Sequence, residues 1–363
     1  MTQNFVVHIN GRFLGRQPTG VDRVAIEVLR ALDDLYENKD PAVVGISIEV
    51  LVPKGTAAQH GLRHIPTRQV GHFQGQIWEQ FDLPLAAGNA LLVNLCNTAP
   101  IFRKNQLVVI HDAATARAPS SYSAAFRLWY SVLIPSLYRR AISVCTVSEF
   151  SKNDLALLFG ARSGVVVLPE GTDHMDRTVP DVNVLAKVGL DSRPYVLAVS
   201  SLAPHKNFET VVRAVEQMGD VGFDVAIAGG QNPAVFAAPG RQLSSSVKYA
   251  GYVTDAELKA LYEHASCFIF PSIYEGYGLP PTEAMASGCA VIASKAAAIP
   301  ETCGDAALYF DPNDASDLAR VLREFMSQPR LQETMRSLGT ARAKTMRWRN
   351  TAIALLNEIR RIA

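Results

Sequence analysis

Short apolar, β-branched runs alternate with stretches of helical periodicity along most of this chain. Residues 5–9, 46–52, 91–95, 107–110, 143–147 and 165–168 read as strands, and a second series follows at 195–199, 223–228, 247–249, 267–270 and 290–293. Runs that are apolar throughout and separated by helices predict parallel sheets covered on both faces. Val21, Val24, Ala25, Val28, Leu32 and Leu35 share one helical face, which predicts the first helix. Thr254 followed by Glu257 has the spacing of a capping box that opens a helix over 256–264. Between about 171 and 193 the pattern breaks into a polar stretch containing Pro180, and the strand series restarts at Tyr195. This predicts an α/β fold with two doubly wound domains, at 1–172 and 193–345. The tail, 346–363, reads as a basic amphipathic helix with Trp348, Ile353, Leu355, Leu356 and Ile359 on its apolar side, crossing back to the first domain.

Length agrees with that division, since 363 residues exceed the usual span of about 100–200 for one domain. Apolar residues make up 48% and charged ones 19%, enough for two sizeable cores. Lys and Arg number 35 against 34 Asp and Glu, so no broad basic field marks nucleic acid as the partner. The five cysteines are scattered without a CxxC pair and read as buried free thiols. The opening MTQNFVVHIN reads as a first strand rather than a signal peptide, and no run of about 18 apolar residues occurs, so a cytoplasmic location is expected. Residues 126–140, FRLWYSVLIPSLYRR, mix aromatic, aliphatic and basic side chains. They suit a peripheral contact at the inner face of an anionic membrane, or a core helix interrupted at Pro135.

The chemistry concentrates at 271–288, PSIYEGYGLPPTEAMASG, directly after an apolar strand. Gly276 and Gly278 lie in a loop, Pro280 or Pro281 suits a first helical turn, and Gly288 suits the helix end. Strand, glycine loop and helix together present amide hydrogens and a positive dipole end, which suit a diphosphate. Glu275 and Glu283 bracket the loop, and a carboxylate accepts hydrogen bonds from vicinal hydroxyls. A sugar on one side and a ribose on the other would satisfy both, whereas dipole compensation by Glu283 and solvation of Glu275 is the plainer alternative. The second feature is SSLAPHKN, 200–207, after the strand at 195–199. Ligands in doubly wound sheets bind beyond the carboxyl ends of strands. His205 and Lys206 would project there, and a cation at that place can neutralise a diphosphate leaving group.

These segments resemble the retaining glycosyltransferases of family 4, whose fold is GT-B: two Rossmann-like domains facing an interdomain cleft. The Glu275–x7–Glu283 pair matches that family's motif. AGYVTDAELKALYEHASCFIFPS, AAAIPETCGDAALYFDPND, TVSEFSKNDL and LPEGTD extend the match over nearly the whole chain. The resemblance implies that Glu275 binds donor-sugar hydroxyls and Glu283 the nucleotide ribose. It implies that amides around Gly276, Tyr277, Gly278 and Leu279 contact sugar and phosphate, and that Lys206 neutralises the diphosphate. Tyr252 and Val253 match positions that contact the base. His111 matches a histidine near the reacting sugar, and Gly20, in GRFLGRQPTGVDR, matches a glycine loop facing the phosphates. Arg12, Arg16 and Arg23 add charge beside it. Two departures stand out. Ser201 replaces an arginine common in the family, so Lys206, with His205, carries more of the charge. Pro169–Glu170–Gly171 replaces a PNG triplet, which removes any asparagine role there.

The expected function is transfer of a sugar, with retention, from a nucleotide-sugar donor to a glycan or polyprenyl-linked glycan in surface polysaccharide synthesis, lipopolysaccharide included. GDP-mannose is the slightly favoured donor, and UDP-sugars stay open. No Asp-x-Asp triplet occurs, so no metal or other cofactor is expected. A sugar-nucleotide epimerase on a similar fold and an inactive binding protein are the rival readings.

Overall fold

The computed structural model describes residues 5–16, 18–56, 61–199, 203–219, 221–229 and 247–362. The chain divides into two compact units. The first comprises Met1–Ala116, Tyr122–Gly171 and Arg347–Ala363, and the second Arg117–Ser121 and Thr172–Met346.

The first unit holds β1 (Phe5–Asn10), β2 (Ile46–Pro53), β3 (Thr67–Val70), β4 (Leu91–Asn94), β5 (Gln106–Val109), β6 (Ser143–Thr146) and β7 (Val166–Val167). They form one sheet in the order β3-β2-β1-β4-β5-β6-β7, parallel at every pairing. Strand β3 was not anticipated. It is an edge strand, TRQV, with three exposed residues, so it lacks the apolar run that marks the central strands. Helix Gly20–Glu37 buries Val24, Ala25, Val28, Leu32 and Leu35, and Thr19 and Asp22 close a capping box at its start. The helix Ala124–Arg140 runs through Pro135 without ending. The expected interruption is absent because the proline deletes one hydrogen bond in the second half of the helix, where Leu133, Ile134, Leu137 and Tyr138 are packed. Its first half leaves Phe126, Leu128 and Val132 exposed.

The tail helix, Trp348–Ile362, belongs to the first unit. It buries Trp348, Leu355, Leu356 and Ile359, each contributing roughly 1.5–3 kcal/mol. Arg349 donates to Asp40 at 2.5 Å, and buried Glu358 accepts from Ser143 and Arg361. Gly171 lies against this helix start so closely that a Cβ would fall on the Trp348 backbone nitrogen.

The second unit holds β8 (Tyr195–Val199), β9 (Asp224–Ala228), β10 (Val247–Gly251), β11 (Cys267–Phe270), β12 (Val291–Ser294) and β13 (Ala307–Phe310), in the order β10-β9-β8-β11-β12-β13, again all parallel. Strand β13, a four-residue edge strand, ALYF, was not anticipated either. Two core clusters cover the two faces of this sheet. The capping box at Thr254 and Glu257 opens the helix Asp255–His264. The polar stretch expected between domains carries two short helices, His174–Arg177 and Asn183–Val188. Met175, Val184 and Leu190 pack them into the second unit's core. All five cysteines are free, four buried and Cys96 partly so. No helix among the described residues is long and apolar enough to cross a membrane.

Candidate functional site

In the second unit the strand order reverses at β8, whose neighbours are β9 and β11. Loops leaving the carboxyl ends of strands at such a switch point diverge, and a crevice results. Lys206 follows β8 and Glu275 follows β11, so both stand at this point. Lys206 closes a 3-10 turn, Pro204–Lys206, and its Nζ donates to Glu275 Oε1 at 2.6 Å. Their side chains are 19% and 14% exposed, so the pair is screened from bulk water but not sealed.

Asn207 holds this arrangement. Its backbone is left-handed at φ 57°, a conformation asparagine tolerates better than most residues. Its side-chain amide donates to the carbonyls of Pro271, at 3.1 Å, and Pro312, at 2.8 Å, and its oxygen accepts from Thr210. The Ile273 amide donates to the His205 carbonyl at 2.8 Å. The loops after β8, β11 and β13 are thereby stitched together, and Lys206 and Glu275 meet as a consequence. His205 is placed otherwise than expected: its Nδ1 pairs with Ser121 Oγ at 2.7 Å. Burial, then the Lys206 ammonium, lower its pKa, so its ring adds no positive charge at neutral pH. Ser201 lies outside the described residues.

The glycine turn leads into the helix Leu279–Ala286 through Gly278, at φ 102° and ψ 59°. An L side chain is strained in that region, which explains the glycine. Pro280 and Pro281 fall in the first helical turn and carry no amide hydrogen. Two of the donors a helix start normally offers are therefore missing, and the free donors move back into the turn. The N–H groups of Gly278 and Leu279 make no hydrogen bond among the described residues. Tyr277 is fixed through its carbonyl, which accepts from Thr302 at 2.7 Å, and Gly276 precedes it between Glu275 and the turn. One turn into the helix stands Glu283, 8% exposed, whose Oε1 pairs with His174 Nε2 at 2.9 Å. Tyr252 and Val253 follow β10 at the far edge of the sheet. Tyr252 is 77% exposed, Val253 packs on the core, and no hydrogen bond joins either to Lys206, Glu275 or Glu283 among the described residues.

In the first unit, His111 follows β5 and is 3% exposed. Its Nε2 donates to the Leu95 carbonyl at 2.8 Å, and its Nδ1 lies 3.6 Å from Glu170 Oε1. Burial alone would lower its pKa, but Glu170, the Leu95 carbonyl and Asp112 outweigh burial and raise it. Gly20 is the first residue of the helix Gly20–Glu37, with open space where a Cβ would stand. Arg16 pairs with Asp22, and Arg12 with Glu79 at 3.1 Å.

Glu79 belongs to a buried polar cluster that the sequence did not disclose. Asn10 ends β1, Asn94 ends β4, and these strands are neighbours at the first unit's own switch point. Glu79 Oε1 accepts from Asn10 at 2.7 Å and Thr98 at 2.9 Å, while its Oε2 is buried without a partner among the described residues. The available signal was an asparagine closing each of two mostly apolar strands. His174, Ser121 and Asn207 were missed as well, because each acts through a partner distant in sequence.

Comparison with known proteins follows the same division. Residues 185–342 match the family model described as "Glycosyl transferases group 1". Over 225 residues, 59% of the chain, the sequence is 28% identical to the O-antigen chain mannosyltransferase B of Escherichia coli, and spans 59% of that protein's length. Over 333 residues it is 25% identical to the O-antigen chain mannosyltransferase RfbU of Salmonella typhimurium, covering 88% of this chain and 91% of that one. The fold is similar to that of HepE of Anabaena, solved in complex with UDP-glucose, with a TM-score of 0.72 at 18% identity, over 98% of this chain and 99% of that one. The chain thus has the GT-B fold, and its residues 185–342 are similar to the group 1 glycosyl transferases.

Proposed function

We propose that this chain is a retaining glycosyltransferase of family 4 that moves a sugar, with mannose from GDP-mannose the favoured case, to a glycan or lipid-linked glycan of a bacterial surface polysaccharide. The single observation carrying the reading is the meeting of Lys206 and Glu275 at 2.6 Å, three residues before a turn whose Gly278 and Leu279 amides make no hydrogen bond among the described residues. A cation and free amide hydrogens suit a pyrophosphate, and a carboxylate next to them suits sugar hydroxyls. The names of the two O-antigen mannosyltransferases support the sugar and the class of acceptor, and the UDP-glucose held by HepE supports a nucleotide-sugar.

In this reading Lys206 and the turn stabilise the diphosphate as the glycosidic bond to it breaks, which is where charge develops. Glu275 leaves Lys206 for the donor's hydroxyls and fixes the sugar, and Glu283 holds the ribose. The family resemblance assigns His111 to the reacting sugar, and Glu170 beside its ring raises its pKa. A departing phosphate oxygen takes the acceptor's proton on the same face, which gives retention. Lys206 and the amides do the charge work of a metal, so turnover survives chelation. A loss of activity in chelator that a divalent ion restores contradicts that part. Exposed Phe126, Leu128 and Val132 beside Arg127 support a peripheral contact with anionic lipid, which vesicle flotation checks.

The deciding experiment is a thermal-shift screen of GDP, UDP, ADP and their sugars, followed by transfer assays with the stabilising donor. A ligand that binds the folded but not the unfolded chain raises apparent stability by mass action. No shift with any nucleoside diphosphate refutes the reading.

A further inference from the structure

His174 stands outside every segment that the proposed donor site uses, yet it touches that site. It opens the short helix His174–Arg177, and it is 5% exposed. Its Nε2 lies 2.9 Å from Glu283 Oε1, across 109 residues of sequence. An ionised carboxylate only accepts, so Nε2 carries the hydrogen and donates it.

The backbone around His174 is held at several points. Thr172 donates its amide to the Met346 carbonyl at 3.1 Å. Lys259 Nζ, from the helix Asp255–His264, donates to the carbonyls of Met175 and Thr178, both at 2.9 Å. Met175, the next residue, is 3% exposed in the second unit's core. A short segment clamped at three points by the same unit fixes the backbone from which the imidazole reaches Glu283. Glu283 is held less firmly. Its neighbour Thr282 bonds the helix backbone, whereas the Glu283 side chain bonds His174 through Oε1, and its Oε2 makes no hydrogen bond among the described residues.

We propose that His174 is a positioning residue for nucleotide ribose: it fixes one carboxylate oxygen of Glu283 and so presents the other, with the remaining lone pair of the first, to the vicinal hydroxyls of the ribose. This rests on the reading of Glu283 as the ribose carboxylate. Without the imidazole, the three side-chain torsions of Glu283 are free to turn, and ordering them on binding costs entropy and a hydrogen bond. The effect is specific: it touches only ligands that bring the 2′ and 3′ hydroxyls. Base, diphosphate and sugar contacts are untouched.

The test uses nucleotide binding to the full chain and needs no acceptor. Calorimetry compares GDP with 2′,3′-dideoxy-GDP, and UDP with its dideoxy form, on wild type, His174→Ala and His174→Gln. The wild type is expected to prefer the ribonucleotide by about tenfold or more, the worth of a hydrogen bond to a charged group. His174→Ala is expected to lose that preference by weakening only the ribonucleotide, and His174→Gln, which retains an N–H donor, to recover most of it. Circular dichroism and the melting temperature without ligand show whether each variant is folded, and His174→Gln carries the test if the alanine variant is not. An unchanged preference in folded His174→Ala overturns the inference, as does equal weakening of both nucleotides. A wild type that binds diphosphates without preferring ribose overturns the Glu283 reading beneath it. A wild type that binds no nucleotide overturns the proposed function itself.

Discussion

The Lys206–Glu275 ion pair makes a prediction that a simple inventory of site residues does not. Without donor, each of these groups is the other's partner at 2.6 Å, and each is less than one-fifth exposed. A nucleoside diphosphate therefore competes with Glu275 for Lys206. A nucleotide-sugar competes too, but it compensates Glu275 with hydroxyls. The substitution Glu275→Gln removes the competitor and keeps the shape. It is expected to strengthen binding of GDP or UDP, by up to about tenfold for one charge-assisted bond no longer broken, and to weaken binding of the intact nucleotide-sugar. Turnover falls by on the order of a hundredfold, the usual cost of about 3 kcal/mol for one preorganised charge contact. The substitution Lys206→Met works in the opposite direction on the diphosphate, weakening it by about tenfold or more, and lowers turnover by a similar hundredfold. Calorimetry of the free diphosphate against both variants, beside initial rates with the donor, reads all four effects. The refuting result is a Glu275→Gln variant that loses diphosphate affinity as Lys206→Met does. Glu275 would then support the phosphate site instead of competing for its cation.

Three further outcomes are expected. Because His111 has a raised folded pKa, the stability it gains from Glu170 is full below the unfolded value of about 6.5 and is lost as pH rises through the folded one. Urea unfolding should then show Glu170→Gln more destabilised, relative to wild type, at pH 6 than at pH 9, and a constant difference contradicts the pairing. Replacing Gly278 by alanine at φ 102° costs roughly 1–3 kcal/mol of strain and shifts the turn amides. It should reduce diphosphate affinity, whereas Gly288→Ala, also at positive φ but with open space around it, should lower stability alone. Gly171→Ala places a methyl group on the Trp348 backbone and should lower the melting temperature steeply, by more than the roughly 0.5 kcal/mol typical of an ordinary surface change.

The parts of this molecule that could be read from its sequence are those whose signal is local. A central parallel strand must be apolar on both faces, so β1, β2, β4 to β6, β8, β9, β11 and β12 announce themselves. An edge strand such as β3 is relieved of that requirement, and its signal vanishes with it. The glycine turn and its two glutamates were visible for the same reason, since the residues needed to shape the turn are consecutive. What stayed hidden is the pairing of each site residue with a group far along the chain: Lys206 with Glu275, Glu283 with His174, His111 with Glu170, His205 with Ser121. No periodicity encodes such a pair, because the partner's position is fixed by strand order and not by spacing. His205 illustrates the consequence. Beside Lys206 in sequence it reads as a second cation, but the fold turns it to a serine hydroxyl and burial strips its charge. The proline pair shows the reverse. Pro280 and Pro281 suit a helix start in sequence, yet their place in the first turn removes the amides that a phosphate would use there. The proposed anion site is consequently narrower than a bare helix end: it would consist of Gly278, Leu279 and a lysine, and its affinity would hang on whether Glu275 lets that lysine go.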